Sequence, residues 1–158
     1  MKAETKKIYR KLLKKRMSIS FAESCTGGWL AQVLTRQSGS SAWFKSGFVT
    51  YSDESKQELL RVPSGYFYPE GPGAVSEEVV KAMAAGTIAA CKTNIAIAIS
   101  GIAGPEGGTA EKPTGTVWIA WQWETRVQTR RFFFAGDRSQ VRLAAVEAAL
   151  SGILEFIC

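Results

Sequence analysis

The stretch NIAIAIS, residues 94–100, is a continuous run of small and medium-sized apolar side chains that ends in a hydroxyl. A run of this kind is typical of a strand that other elements cover on both faces. Helical patterns occur before and after it in the chain, which predicts helices packed against a sheet. The stretch therefore predicts an α/β fold built around a buried strand.

Several elements are predicted before this strand from the periodicity of apolar side chains. Asp53 and Ser76 each stand where a helical pattern begins, so we expect both to be N-caps. Three Pro and three Gly in residues 63–75 predict a loop. In chain order the elements are a charged helix within 1–16, a strand over 18–24, a helix over 26–36 with Trp29, Leu30, Val33 and Leu34 inward, a strand centred on 45–51, a helix over 53–62 and a helix from Ser76 to about Lys92.

After the run come a glycine-rich loop over 101–115, two strand patterns and a closing helix that Asp137 opens. The two strand patterns, TVWIAWQW and RVQTRRFFF, predict an antiparallel pair. The resulting order, αβαβααβββα, predicts a three-layer α/β/α sandwich with a mixed sheet of about five strands. At this length we expect residues 1–158 to form a single domain.

Three of the predicted strands end in polar or glycine-containing clusters, at Ser24, at Tyr51–Ser52 and at Ser100–Gly101. In open α/β sheets, ligands bind in the crevice at the carboxyl ends of strands. We therefore expect these three clusters to converge on one pocket.

Composition excludes several classes of site. The chain has no histidine, so a Ser–His–Asp triad and a His-ligated zinc or haem are excluded. Its three cysteines, Cys25, Cys91 and Cys158, are widely spaced and predict neither a disulfide framework nor a metal site. No apolar run approaches the ~20 residues of a membrane span, and the amino terminus lacks a signal-peptide core. These features predict a cytoplasmic protein.

The net charge of +6 is concentrated in one segment. Residues 1–16 hold eight Lys or Arg against one Glu, and the rest of the chain is nearly neutral. Ile8, Leu12 and Leu13 supply an apolar stripe there, which favours an amphipathic helix with its lysines in water. A nucleic-acid footprint is the less favoured alternative.

The stretch SISFAESCTGGWLAQVL, residues 18–34, places Ser24 at a strand-to-helix turn. A serine there would lie near the free N–H groups of the helix start, and Gly27 and Gly28 would let a carbonyl oxygen or phosphate reach them. That arrangement suits a nucleophile beside an oxyanion hole. The alternative is that Ser24 or Thr26 is simply an N-cap, and Cys25 is interpreted as a small buried side chain rather than a second nucleophile.

A serine nucleophile needs a base, and without histidine the candidate in YSDESK is Lys56. Burial would lower the pKa of this lysine toward the range in which it accepts a proton. Tyr51 could hydrogen-bond the substrate or pass a proton. The alternative for Lys56 is a solvated lysine on a short helix.

The remaining motifs are weaker. Neither GxGxxG nor GxxxxGK[ST] occurs, so a Rossmann or P-loop nucleotide site is unsupported. Arg138, near the start of the last helix, is either a phosphate clamp or a surface arginine. The segment 132–134, three consecutive Phe, is interpreted as core and subunit contact.

Several segments in register resemble the CinA C-terminal domain family, whose enzymatic members are nicotinamide-nucleotide amidases. They are AESCTGG, GSSAWFKSGFVTYSDESK, GAVSEEV, AMAAG, SGIAGPEGGTAEKPTGTVWIA and GDRSQVR, which together span roughly residues 20–148. The family pattern usually has YSNEAK and often TGIAGP, so Asp53 and Ser100 are departures. Full-length CinA proteins have an additional N-terminal domain, and we expect this chain to be a stand-alone version of the C-terminal domain.

The resemblance implies hydrolysis of nicotinamide mononucleotide (NMN) to nicotinate mononucleotide and ammonia, without a metal or other cofactor, by a homodimer. It implies Ser24 as nucleophile, Lys56 as general base and Tyr51 in support. The residues implied to support the reacting groups or hold the nucleotide, together with the two glycines of the turn, are Thr26, Gly27, Gly28, Ser41, Ser100, Gly101 and Arg138. Membrane association and nucleic-acid binding are not expected.

Two alternatives to an active amidase stay open. An acidic Asp53 beside Lys56 would raise the pKa of the lysine, which favours a catalytically silent nucleotide-binding or regulatory protein. The basic first helix keeps a nucleic-acid-associated protein as a third possibility.

Overall fold

The computed structural model describes residues 1–157 and has the predicted order of elements, αβαβααβββα. Cys158 lies outside the described residues. Two short 3₁₀ helices, Ser40–Ala42 and Ser64–Phe67, lie in the connections, the second within the predicted loop. The elements are α1 (Lys2–Lys15), β1 (Ile19–Glu23), α2 (Trp29–Thr35), β2 (Phe44–Val49), α3 (Asp53–Leu60), α4 (Glu77–Cys91), β3 (Ile95–Gly101), β4 (Thr116–Trp123), β5 (Arg126–Phe133) and α5 (Arg138–Phe156).

The five strands form one mixed sheet in the order β2-β1-β3-β4-β5. β1 runs parallel to both β2 and β3, whereas β4 is antiparallel to β3 and to β5. The predicted antiparallel pair and mixed sheet are therefore confirmed. Because β1, β2 and β3 are parallel neighbours, their carboxyl ends meet at one edge of the sheet.

The two faces of the sheet differ in the size of their side chains. Along β3, Ile95, Ile97 and Ile99 belong to a core with α1, α2 and α5, while Ala96 and Ala98 belong to a second core with α3 and α4. Side chains alternate between faces along a strand, so one run supplies both layers. The predicted coverage of this strand on both faces is confirmed.

Helix α2 begins at Trp29, three residues later than predicted. Gly27 and Gly28 have φ angles of 59° and 93°, a left-handed conformation that a helix cannot include. The inward side chains of α2 are Leu30, Val33 and Leu34, as predicted, and Trp29 is half-buried.

Two of the three predicted helix starts are confirmed. Ser76 accepts a hydrogen bond from the N–H of Val79, and Asp137 forms a capping box with Gln140. Asp53 is not the N-cap of α3, because the Ser52 side chain accepts the N–H of Ser55 at 3.1 Å and Asp53 is the first helical residue.

Helices α3 and α4 are in backbone contact at Gly86. A methyl group at this position would collide with the carbonyl oxygen of Leu60, the last residue of α3. Glycine at this position therefore lets α3 approach α4 closely. The approach fixes where the side chains of α3 lie relative to the sheet.

Helix α1 carries its basic side chains on the outside, as predicted. Ile8 and Leu12 are fully buried against α5, but Leu13 is 40% exposed and does not join the apolar stripe. Of the three Phe at 132–134, Phe132 and Phe134 pack against the core, as predicted. Phe133 is 66% exposed on the edge strand β5, and its subunit contact stays a prediction. Within residues 1–157, no helix has the length and apolarity to cross a bilayer.

Candidate active site

The carboxyl ends of β1, β2 and β3 open onto a cavity of about 170 Å³. The residues that follow each of these strands line it, and α3 and α5 add further side chains. The predicted convergence of the three strand ends is therefore confirmed. The lining residues that the sequence had singled out are Ser24, Cys25, Tyr51, Asp53, Lys56, Ser100, Gly101 and Arg138.

Ser24 and Lys56, two buried polar residues that form the floor of this cavity, are in direct contact. Lys56 Nζ lies 3.2 Å from Ser24 Oγ, and the two residues are only 1% and 8% exposed, respectively. The N–H of Ser24 donates to the carbonyl oxygen of Ile99 at 3.0 Å, which ties the serine to the end of β3. The contact supplies a nucleophile with an adjacent base, provided that the lysine is neutral.

Three backbone carbonyls surround the amine of Lys56. Nζ lies 2.8 Å from Thr50 O, 3.2 Å from Tyr51 O and 3.4 Å from Ser52 O. A neutral amine has two N–H bonds and one lone pair. It can therefore donate to two of these carbonyls while its lone pair accepts the hydroxyl proton of Ser24.

Burial lowers the pKa of Lys56 below its ordinary value of 10.5. Removal from water disfavours the ammonium form, which is the physical cause of this direction. The charge of Asp53, the largest opposing influence, acts to raise the same pKa. Both effects that the sequence suggested are thus present at the lysine, with burial the larger.

The N-terminal amides of α2 are already occupied, which contradicts the predicted oxyanion hole at this helix start. The carboxylate of Glu23, which is 1% exposed, accepts the N–H groups of Gly28, Leu30 and Ala31 at 3.1, 3.0 and 2.9 Å. An acidic group at a helix start satisfies its unpaired donors and its dipole. These amides therefore have no room for a substrate oxygen.

Thr26, Gly27 and Gly28 do not line the cavity, so their predicted contact with substrate is not supported by this geometry. Thr26 is fully buried and its hydroxyl donates to Glu23 at 2.6 Å. A methyl group on Gly27 would lie 3.4 Å from Arg142, and one on Gly28 would lie 3.5 Å from Val49. The glycines shape the turn rather than clear a path to ligand.

Ser41 also lies away from the cavity. It belongs to the exposed 3₁₀ helix Ser40–Ala42, which precedes β2. The cavity lies at the opposite, carboxyl end of β2, so the length of the strand separates the two. Within this chain, Ser41 is therefore not placed to support the reacting groups.

Cys25 is the small buried side chain that the sequence predicted. It is 5% exposed, and burial raises the pKa of its thiol to about 12. A thiol with this pKa remains protonated at neutral pH and is a poor nucleophile. The oxygen of Ser24 is therefore the stronger candidate.

Tyr51 and Arg138 form the exposed rim of the cavity. Arg138 donates to the hydroxyl of Tyr51 at 2.7 Å and to the carbonyl oxygen of Gly104 at 2.8 Å. Tyr51 is 56% exposed. A guanidinium held in this way at an open rim is well suited to an anionic group of a ligand.

Ser100 is hydrogen-bonded to the segment that contributes Ala74 to the lining of the cavity. Its hydroxyl donates to the carbonyl oxygen of Ala74 at 2.8 Å, and Ala74 lines the cavity. Lys112 donates to the carbonyl oxygen of Pro72 in the same segment. Next to Ser100, a methyl group on Gly101 would lie 2.7 Å from Val117 and 3.1 Å from the sulfur of Cys25, so only glycine fits.

Arg142 is a residue of the site region that the sequence interpretation did not single out. Its Nε donates to the carbonyl oxygen of Cys25 at 3.0 Å and its Nη2 to that of Thr26 at 3.2 Å. Arg142 ends the segment GDRSQVR, four residues after Arg138. Residues four apart share one face of a helix, and that spacing was the signal that could have found it.

Comparison with known proteins gives consistent matches over nearly all of the chain. The family model described as the CinA C-terminal domain matches residues 1–157. Nicotinamide-nucleotide amidohydrolase PncC of Pseudomonas putida is 51% identical over 137 residues, which are 87% of this chain and 84% of that protein. The protein of the same name from Escherichia coli is 50% identical over 135 residues, covering 84% and 80% of the two chains.

A solved structure agrees with the fold. The crystal structure of a CinA superfamily protein from Klebsiella pneumoniae matches with a TM-score of 0.93 at 39% identity, covering 98% of this chain and 96% of that one. The mixed five-stranded sheet between helices is therefore shared with a protein of substantial sequence similarity.

Proposed function

We propose that this chain, which belongs to the CinA C-terminal domain family, is a nicotinamide-nucleotide amidohydrolase that converts NMN to nicotinate mononucleotide and ammonia. The observation that carries the proposal is the buried contact of 3.2 Å between Lys56 Nζ and Ser24 Oγ. The similar proteins named as amidohydrolases of this nucleotide support the substrate.

The proposed reaction is a two-step acyl transfer. Neutral Lys56 takes the hydroxyl proton of Ser24 while Oγ attacks the amide carbon of the substrate. The resulting ammonium returns its proton to the leaving nitrogen, which departs as ammonia and leaves an ester on Ser24. A water molecule, deprotonated by Lys56, then attacks the ester, and Oγ leaves with that proton to regenerate the serine.

The rim supplies binding rather than bond cleavage in this proposal. Arg138 lies at the exposed mouth and offers its guanidinium to the anionic part of the nucleotide. Tyr51, held beside Arg138 at the same exposed rim, helps to orient the bound nucleotide. Because Glu23 occupies the amides of α2, the proposal assigns no stabilisation of the developing oxyanion to them.

A second candidate function is nucleotide binding without turnover, favoured by one observation. Asp53 lines the cavity, and its charge acts against the lowered pKa of Lys56. A lysine that stayed protonated would hold Ser24 by a hydrogen bond but could not accept its proton. The protein would then bind NMN and release nothing.

One experiment separates the two functions. Purified protein is incubated with NMN, and ammonia and nicotinate mononucleotide are measured in the same samples, with the Ser24→Ala variant as control. We expect equal amounts of both products from the natural chain and none from the variant. A rise in melting temperature with NMN but no product, even at high protein concentration, would establish the silent binding protein instead.

The homodimer and the independence of cofactors are proposed from the family resemblance, and the cytoplasmic location from the sequence composition. We expect a homodimer that needs no metal or other cofactor and that works in the cytoplasm. Light scattering on the purified protein measures the oligomeric state, and activity that persists in a chelator tests the independence of metal.

A further inference from the structure

The turn that carries Ser24 has to be held rigidly, because Ser24 Oγ must stay against Lys56 Nζ during the reaction. Inside the turn, the N–H of Gly27 donates to the carbonyl oxygen of Ser24 at 3.0 Å. After the turn, the first amides of α2 donate to the carboxylate of Glu23, which fixes the start of this helix. The carbonyl groups of Cys25 and Thr26 are held from outside the segment, by Arg142 of α5.

The two bonds of Arg142 fix the orientation of two successive peptide groups. In a trans peptide, the N–H points away from the C=O of the same plane. Holding the carbonyl of Cys25 therefore also sets the direction in which the N–H of Thr26 points. Holding the carbonyl of Thr26 sets the N–H of Gly27, which is the group that closes the turn onto Ser24.

The Arg142 guanidinium contacts the ring of Trp29 as well as the two carbonyl groups. Its side chain lies over the ring of Trp29, with 5.4 Å between the guanidinium carbon and the ring centroid. Among residues 1–157, no carboxylate forms an ion pair with Arg142. A charged donor makes stronger hydrogen bonds to two backbone carbonyls than a neutral side chain would.

We propose that Arg142 is a positioning residue for acyl transfer, which acts by clamping the Cys25 and Thr26 carbonyls so that Ser24 stays aligned with Lys56. The proposal rests on the amidohydrolase function proposed above. Arg142 does not line the cavity and is not expected to touch substrate. Its removal should therefore lower kcat while leaving KM nearly unchanged.

The test compares Arg142→Ala and Arg142→Lys with the natural chain and with Arg130→Ala. Arg130 is a matched control, since it is an arginine bonded to Glu155 on the surface and lies outside the cavity. Two readouts are taken: steady-state kinetics with NMN, and the rate at which a fluorophosphonate labels Ser24. The second readout reports alignment of the serine without depending on the substrate.

We expect Arg142→Ala to reduce kcat on the order of 100-fold, the effect of a misplacement of about 1 Å at the reacting atoms, with KM changed by less than about threefold. Labelling should slow in parallel, and added guanidinium ion, below denaturing concentrations, should restore part of both rates. Arg142→Lys keeps the charge but not the fork that spans two carbonyls, so it should remain folded and also lose kcat. Arg130→Ala should behave as the natural chain does.

The outcomes separate the two proposals. If the natural chain releases no ammonia from NMN but labelling of Ser24 still depends on Arg142, the amidohydrolase function fails and the clamp stands. Unchanged kcat and unchanged labelling in folded Arg142→Lys, or a change confined to KM, overturn the clamp. If Arg142→Ala does not fold, the decision rests on Arg142→Lys alone.

Discussion

The floor and the rim of the cavity each carry a basic side chain, but the one on the floor is buried and the one at the rim is exposed. On the floor, Lys56 is 1% exposed and contacts Ser24. At the rim, Arg138 is exposed and contacts Tyr51, itself 56% exposed. Burial lowers the pKa of Lys56, whereas the exposed guanidinium of Arg138 is accessible to a charged ligand and is more weakly hydrated than an ammonium group. This difference in exposure is why the proposed reaction assigns proton transfer to the buried Lys56 and ligand capture to the exposed Arg138.

Loss of the floor nucleophile is expected to have the largest effect. Ser24→Ala removes the oxygen that forms the acyl-enzyme, so kcat should fall on the order of 10⁴–10⁶-fold. Binding of NMN, measured by calorimetry, should persist, because the rim is intact. Full kcat in this variant would contradict the acyl-enzyme mechanism and would indicate direct attack of water on the amide.

Loss of the floor base comes next. Lys56→Met keeps an unbranched side chain that is one atom shorter and has no amine, so kcat should fall about 10²–10⁴-fold, the usual contribution of a general base. Lys56→Arg should be as poor, since a guanidinium stays protonated at any accessible pH. Circular dichroism checks that both variants are folded. An active Lys56→Arg would show that the positive charge, not proton transfer, is what the floor supplies.

The rim should respond in KM instead. Arg138→Ala removes a charged hydrogen-bond donor and should raise KM roughly 10- to 100-fold with a much smaller change in kcat. Tyr51→Phe removes only a neutral hydroxyl and should raise KM by about threefold to tenfold. Initial rates over a range of NMN concentrations separate the two constants. If Tyr51→Phe lowered kcat as much as Lys56→Met does, Tyr51 would belong with the floor as a proton carrier.

The smallest expected effect lies where the two regions meet, at Asp53. The proposed reaction requires neutral Lys56, so kcat/KM should rise with pH through the pKa of this lysine. The charge of Asp53 raises that pKa, and Asp53→Asn should therefore move the rising limb of the profile to lower pH. The measurement is kcat/KM against pH for both proteins, with circular dichroism to exclude unfolding. A rising limb that does not move would mean that another group titrates there.

Much of the fold could be predicted because it depends on local patterns. The apolar run predicted β3, and the cap residues Ser76 and Asp137 predicted the starts of α4 and α5. The structure contains all three elements. The meeting of strand ends followed from the directions of parallel strands alone. Ser41, which the family resemblance implied as a supporting residue, precedes β2 and therefore lies at the amino end of this strand.

The start of α2 could not be predicted from local patterns. Ser24 and Thr26 are both good N-cap residues, but the carboxylate of Glu23 reaches forward and takes the amides five to eight residues later. Arg142 reaches the same turn from 116 and 117 positions away in the chain. Contacts of this kind depend on the assembled packing of helices against the sheet.

The contact between Gly86 and Leu60 has a consequence for genetics. Lys56 lies one helical turn before Leu60, so any larger residue at position 86 would displace the helix that carries this proposed base. In a random mutant library, substitutions there would be scored as loss of function although they change no atom that meets the nucleotide. Second-site revertants of such alleles should cluster in α3 rather than around the cavity.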